Sequence, residues 1–163
     1  MLNKLKYFLF FITSLFFLNI AACSSNSSGN DLTDVKFEVI KEGTISGFTD
    51  EKMIVIDNND DYQKAMAIVY YNLDQMPVVP DVDFNKYTVI LAAMGTKNNG
   101  GYTIGIDNIT KSKSIVTVNL TETSPGKNCV LTDMVSSPYQ VIKVKKIKKE
   151  IKFNISRNTK DCQ

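Results

Sequence analysis

YTVILAAMGTKNNGGYTIGID, Tyr87 to Asp107, is the stretch whose reading decides the fold. Tyr87 to Met94 is almost wholly apolar or β-branched, the composition of a strand covered on both faces. Gly101 to Asp107 alternates Tyr102, Ile104 and Ile106 with Thr103, Gly105 and Asp107, the pattern of one buried and one wet face. Between these arms Gly95, Thr96, Lys97, Asn98, Asn99, Gly100 and Gly101 supply residues that reach positive φ at little steric cost. The stretch therefore predicts a β-hairpin, and its loop, Gly95 to Tyr102, is the leading candidate for a contact surface.

Outward from this stretch, strands dominate. Downstream, Ser114 to Thr121 alternates Val116, Val118 and Leu120 with Thr117 and Asn119. Ser124-Pro125-Gly126-Lys127 predicts a turn, and Cys129 to Val135 a weaker strand ended by Ser136-Ser137-Pro138. Tyr139 to Val144 and Ile151 to Ile155 are two more period-two runs. Upstream, Val35 to Glu42 sets Phe37 and Val39 against Lys36 and Glu38, and Lys52 to Ile56 is a short apolar run. Asp57 to Asp61 is a cluster of cap-forming side chains, after which Tyr62, Ala65, Met66, Val69 and Leu73 recur at helical spacing. Asp60 and Asp61 there complement the positive end of the helix dipole. Met76 to Asp83 holds two prolines and predicts an extended connection. The sum is a mainly β chain with one helix, α+β in class: an antiparallel sheet or small β-sandwich, mostly of hairpins, with one packed α-helix.

At 163 residues and 44% hydrophobic content the chain suffices for one domain with a real core. Residues 1–22 carry a basic start at Lys4 and Lys6, an apolar Tyr7 to Leu18, and Ile20-Ala21-Ala22 before Cys23, the pattern of a bacterial lipoprotein signal peptide. Cys23 is the expected lipidation site, bearing a diacylglyceryl thioether and an acylated amine. Several acyl chains at one residue exceed what stable membrane anchoring requires. Residues 23–34 then form a flexible tether, apolar-free from Ser24 to Asn30, and residues 35–163 the domain. Ser24, where enterobacterial inner-membrane retention would need Asp, points towards the outer membrane; the cell membrane is the alternative.

The full chain holds 19 Lys+Arg against 17 Asp+Glu, and Lys4 and Lys6 are the whole excess. Charge is nonetheless uneven, because the lysines crowd between Lys143 and Lys160. Such a run either faces anionic lipid or an acidic partner, or protects a sheet edge from pairing. A charge-balanced exported protein gives no reason to expect nucleic acid. Cys129 and Cys162 allow one intramolecular disulfide outside the cytoplasm; the alternative is two free thiols.

The chain has no histidine, which removes Ser-His and Cys-His catalytic pairs and every His-based metal site. Ser124-Pro125-Gly126-Lys127 matches the S-x-x-K spacing, but Pro-Gly makes a turn where that chemistry needs a helix. Asp57-x-Asn59-x-Asp61 copies the start of a calcium loop, yet Tyr62 and Ile68 occupy the glycine and glutamate positions, so a helix cap is expected. No enzyme activity, metal or cofactor is expected.

Phe84-x-x-Tyr87-x-Val89-Ile90, Gly95-Thr96-Lys97-x-x-Gly100-Gly101-Tyr102-x-Ile104, Val116-x-Val118, Thr123-Ser124-Pro125-Gly126 and Ser137-Pro138-Tyr139-x-Val141-Ile142 follow one another in an order that resembles the C-terminal domain family of the protease complex subunit PrcB, over about residues 84–144. The resemblance implies a secreted or lipid-anchored, non-enzymatic module. It also implies an extracytoplasmic protein partner, with a subtilisin-like protease whose complex it stabilises as the specific case. The turns at Pro125-Gly126 and Pro138-Tyr139 would join the Gly95 to Tyr102 loop if they cluster at one end. Asn98-Asn99-Gly100-Gly101-Tyr102 is also similar in shape to a loop of chagasin-type cysteine-protease inhibitors, which implies inhibition as the alternative. An envelope structural or lipid-surface role is a third.

Overall fold

The computed structural model describes residues 32–71 and 73–162; the leader, Cys23 and the Ser24 to Asn30 tether lie outside them. In chain order the elements are β1 (Thr33–Asp34), β2 (Phe37–Gly43), β3 (Glu51–Ile56), α1 (Asn59–Val69), β4 (Tyr87–Met94), β5 (Thr103–Lys111), β6 (Ile115–Pro125), β7 (Tyr139–Lys145) and β8 (Glu150–Lys160). They form two four-stranded sheets, ordered β1-β5-β6-β8 and β2-β7-β4-β3. The expected mainly β, α+β architecture is present as a sandwich with a helix on one outer face.

The helix begins where the side chains predict. Asn58 Oδ1 accepts from the Asp61 backbone N–H at 2.9 Å, satisfying one orphan donor of the first turn. Tyr62, Ala65, Met66 and Val69 face the sheet. The helix stops at Val69, so Leu73 is exposed, whereas Tyr70 is buried and Tyr71 is not.

β4 explains its own composition. Val89, Leu91 and Ala93 pack against the helix side, with Tyr62, Met66 and Val141. Ile90, Ala92 and Met94 pack into the second core between the sheets, with Ile106, Val118, Leu120 and Ile142. A strand between two cores has no wet face to carry polar residues, and Thr88, its one polar member here, is satisfied by Asp57 Oδ1 at 2.7 Å. β5 alternates as expected, with Ile104 and Ile106 buried, until a bulge after Ile106 brings Ile109 inward.

The hairpin prediction at Gly95 to Gly101 is corrected. Both edges of β4 are taken, by β3 and β7, so β5 has no place beside it. Instead Gly95 (φ 71°) and Gly101 (φ 91°) turn the chain out of one sheet and into the other. The hairpin forms one connection later, between β5 and β6, around Ser112 to Ser114. Four other expectations change. Cys129 to Val135 is loop, because its partners are the loop at Lys97 to Gly100 and not a strand. Ser124 and Pro125 close β6, and the turn begins at Gly126, whose carbonyl accepts from Cys129 N–H. A register shift between Val39 and Lys41 in β2 leaves Val39 exposed and turns Ile40 onto the helix-side core.

Finally, β8 pairs with β6 in parallel rather than in a hairpin. β6 and β8 both start at the same end because β7, in the opposite sheet, carries the chain back between them. This does place the basic terminal strand at a sheet edge.

Candidate contact surface

The registers give the sandwich two distinct ends. Ala93 lies opposite Tyr139, and Tyr87 opposite Lys145; Thr103 pairs with Thr123, and Lys111 with Val116. One end therefore gathers the loops 95–102 and 126–138 with the tail at Lys160. The other gathers β1, the 112–114 turn and Lys145 to Lys149. An eight-residue strand separates them by roughly 25 Å.

At the loop end the two long loops are laced by their backbones. Lys97 N–H donates to Ser136 O at 2.7 Å and Ser136 N–H to Lys97 O at 3.0 Å, while Gly100 N–H reaches Thr132 O at 3.1 Å. Ser136 Oγ donates to Asn99 O at 2.8 Å. Thr96 N–H donates to Thr49 O at 3.0 Å, tying the loop to the segment before β3. Gly95 sits so close to that segment that a Cβ would come within 2.7 Å of the Asp50 carbonyl carbon, a backbone approach that only glycine permits.

Below the lacing, Ser46 and Ser137 exchange hydrogen bonds in the interior, Ser46 N–H to Ser137 Oγ at 2.6 Å and Ser46 Oγ to Ser137 O at 3.0 Å. Cys129 and Cys162 are joined by a disulfide, with Cα atoms 4.9 Å apart. The bond fastens the tail to the 126–138 loop. On the chain-entropy account a loop of this size contributes roughly 3 to 4 kcal/mol.

The predicted site residues fall in three groups. Thr96, Asn98 and Gly101 are exposed, while Lys97, Asn99, Gly100 and Tyr102 are half-buried, with Lys97 Nζ 5.8 Å from the centre of the Tyr102 ring. Pro125 flanks Gly101, so this turn does join the loop, though Gly126 is buried. Pro138 and Tyr139 stand at the same end but are buried, Tyr139 as part of the helix-side core.

The residues that sequence reasoning passed over are Val130, Met134 and Val135. Val130 is fully exposed, and Met134 and Val135 are 53% and 60% exposed, on the loop laced to 95–102. An open depression of about 480 Å3 lies between Gly100, Gly101, Pro125, Val130 and Leu131. The stretch CVLTDMV sets Val130, Leu131, Met134 and Val135 at i, i+1, i+4 and i+5, which is not the alternation of a strand, and no helix forms there.

Both laced loops lie inside a segment of the chain that resembles a known family. Residues 88–145 match the family model described as PrcB C-terminal. This stretch is similar to that family. The PrcB C-terminal segment runs from β4 to β7, close to the expected 84–144, and contains Cys129 but not Cys162. No curated protein and no solved structure matches the chain.

Proposed function

We propose that this chain is a lipid-anchored, extracytoplasmic, non-enzymatic module that binds a protein partner through its loop end, as an accessory subunit of a protease complex. The observation that carries the reading is the exposed apolar set Val130, Met134 and Val135 on a loop held rigid by hydrogen bonds and a disulfide. Exposed apolar side chains on a pre-ordered loop are what a protein interface uses, since little ordering entropy remains to be lost on binding. The family name supplies the protease complex, and Cys23 supplies the anchor. Because β1 leaves the domain at the opposite end, a tether to the membrane turns the loop end outwards.

Recovery of partners from detergent extracts of cells expressing the chain or its Val130→Glu/Met134→Glu variant tests this. A protease recovered with the parent chain and lost with the correctly folded variant is the expected result. Equal recovery with both, or no protein recovered with either, contradicts it.

A further inference from the structure

We propose that the end opposite the loops is a docking site for the phosphate groups of anionic phospholipid, seating the domain on the membrane that anchors it. The observation is a cavity of about 350 Å3 into which Lys111, Lys145, Lys146, Lys148 and Lys149 converge, with Val35 and Ile147 in its wall and no carboxylate lining it. Two of these lysines are structural. Lys146 Nζ holds Asp57 Oδ1 at 2.8 Å. Lys149 Nζ donates to Ser112 O at 2.9 Å and Lys113 O at 2.7 Å, closing the β7–β8 connection onto the β5–β6 turn. The other three, Lys111, Lys145 and Lys148, are exposed and make no ion pair among the described residues. Free cations at the mouth of a partly apolar hollow suit a headgroup phosphate with the start of its acyl chains.

The occupant follows from where the chain enters. Thr33 pairs with Lys111, so β1 runs along the rim of this cavity. Nine residues, Ser24 to Leu32, separate Cys23 from Thr33, and even fully extended they span only roughly 30 Å. A lipidated Cys23 therefore holds this end, where the chain enters the domain, within about 30 Å of the headgroups. The inference rests on the lipid-anchor reading.

The test uses the detergent-purified full lipoprotein, added to vesicles of phosphatidylcholine alone or with 30% phosphatidylglycerol. Flotation reports the anchor, and lysine acylation read by mass spectrometry reports the docking. Flotation with both vesicle types, together with slower acylation of Lys111, Lys145 and Lys148 on the anionic vesicles alone, is expected, with Lys127 and Lys160 at the far end unchanged. Each cation at an anionic surface multiplies the docked population about fivefold, so protection of the two remaining lysines should weaken about fivefold in each single variant, Lys111→Gln, Lys145→Gln or Lys148→Gln, and vanish in 0.5 M salt. Equal acylation on both vesicles overturns docking while leaving the anchor intact. Flotation with anionic vesicles only supports docking and removes the anchor, and flotation with neither removes both. Protection by inorganic phosphate on phosphatidylcholine vesicles, without an effect of phosphatidylglycerol, would show a free-anion site and overturn the proposal.

Discussion

Arg157 of β8 is ion-paired through Nε with Glu122 Oε2 at 3.0 Å, across the parallel β6–β8 pair at the edge of the first sheet. Its Nη2 meanwhile holds both carboxylate oxygens of Glu51 on β3, at 3.0 and 2.9 Å, so one guanidinium ties the two sheets together. Glu122 is 5% exposed, and its Oε1 is buried without a hydrogen-bond partner.

Burial, and then the charge of Glu51, push the Glu122 carboxyl above the ordinary range against the pull of Arg157. A folded-state pKa above the unfolded value means that the fold favours the protonated acid. The stabilisation is complete below the unfolded value of about 4.3 and is lost as pH rises through the folded value. Glu122→Gln should therefore be at least as stable as the parent chain at pH 7, within about 1 kcal/mol, and the two should converge at pH 4. Urea unfolding at both pH values checks this; a large loss at pH 7 would show that Arg157 outweighs burial.

Tyr62 is wholly buried, with its ring edge-on to Phe84 at 5.7 Å and its hydroxyl unpartnered. Burial pushes its phenol up to about 12. Removing an orphaned hydroxyl removes a desolvation cost, so Tyr62→Phe should be neutral or stabilising by about 1 kcal/mol, whereas Tyr62→Ala should cost about 3 to 5 kcal/mol. Thermal unfolding of the two variants distinguishes them.

Gly95→Ala should destabilise the domain by about 1 to 3 kcal/mol, because φ is 71° there and the Asp50 backbone fills the space of a Cβ. Gly105→Ala, where nothing lies within 4 Å of the added Cβ, should change the melting temperature little. A comparable drop in both would remove the pivot role assigned to Gly95.

Replacing Cys129 and Cys162 by serine should cost roughly 3 to 4 kcal/mol and loosen the tail and the 126–138 loop, while β4 and α1 keep their protection. Hydrogen exchange reads this directly. Uniform loss of protection would show that the bond holds the whole domain.

Much of this architecture was legible because it is local. The continuous apolar run of β4 reported two buried faces, the alternation of Ile104 and Ile106 reported one, and Asn58 to Asp61 announced the helix cap. What was not legible depends on partners distant in sequence. Gly95 and Gly101 say that the chain turns, but only the occupation of both β4 edges by β3 and β7 sends it to the other sheet. The parallel pairing of β8 with β6 follows from the end at which β7 emerges. The strand expected over Cys129 to Val135 fails for the same reason, since its backbone pairs with the loop at Lys97 to Gly100 and leaves Val130 and Met134 exposed.

The division of the molecule into an outward loop end and a membrane-facing lysine end is tested most directly by photo-cross-linking in cells. A photoreactive residue at position 134 should give discrete protein adducts that include a protease, and one at position 148 should give lipid adducts and none of those proteins. Protein adducts from position 148 with none from position 134 would contradict the account.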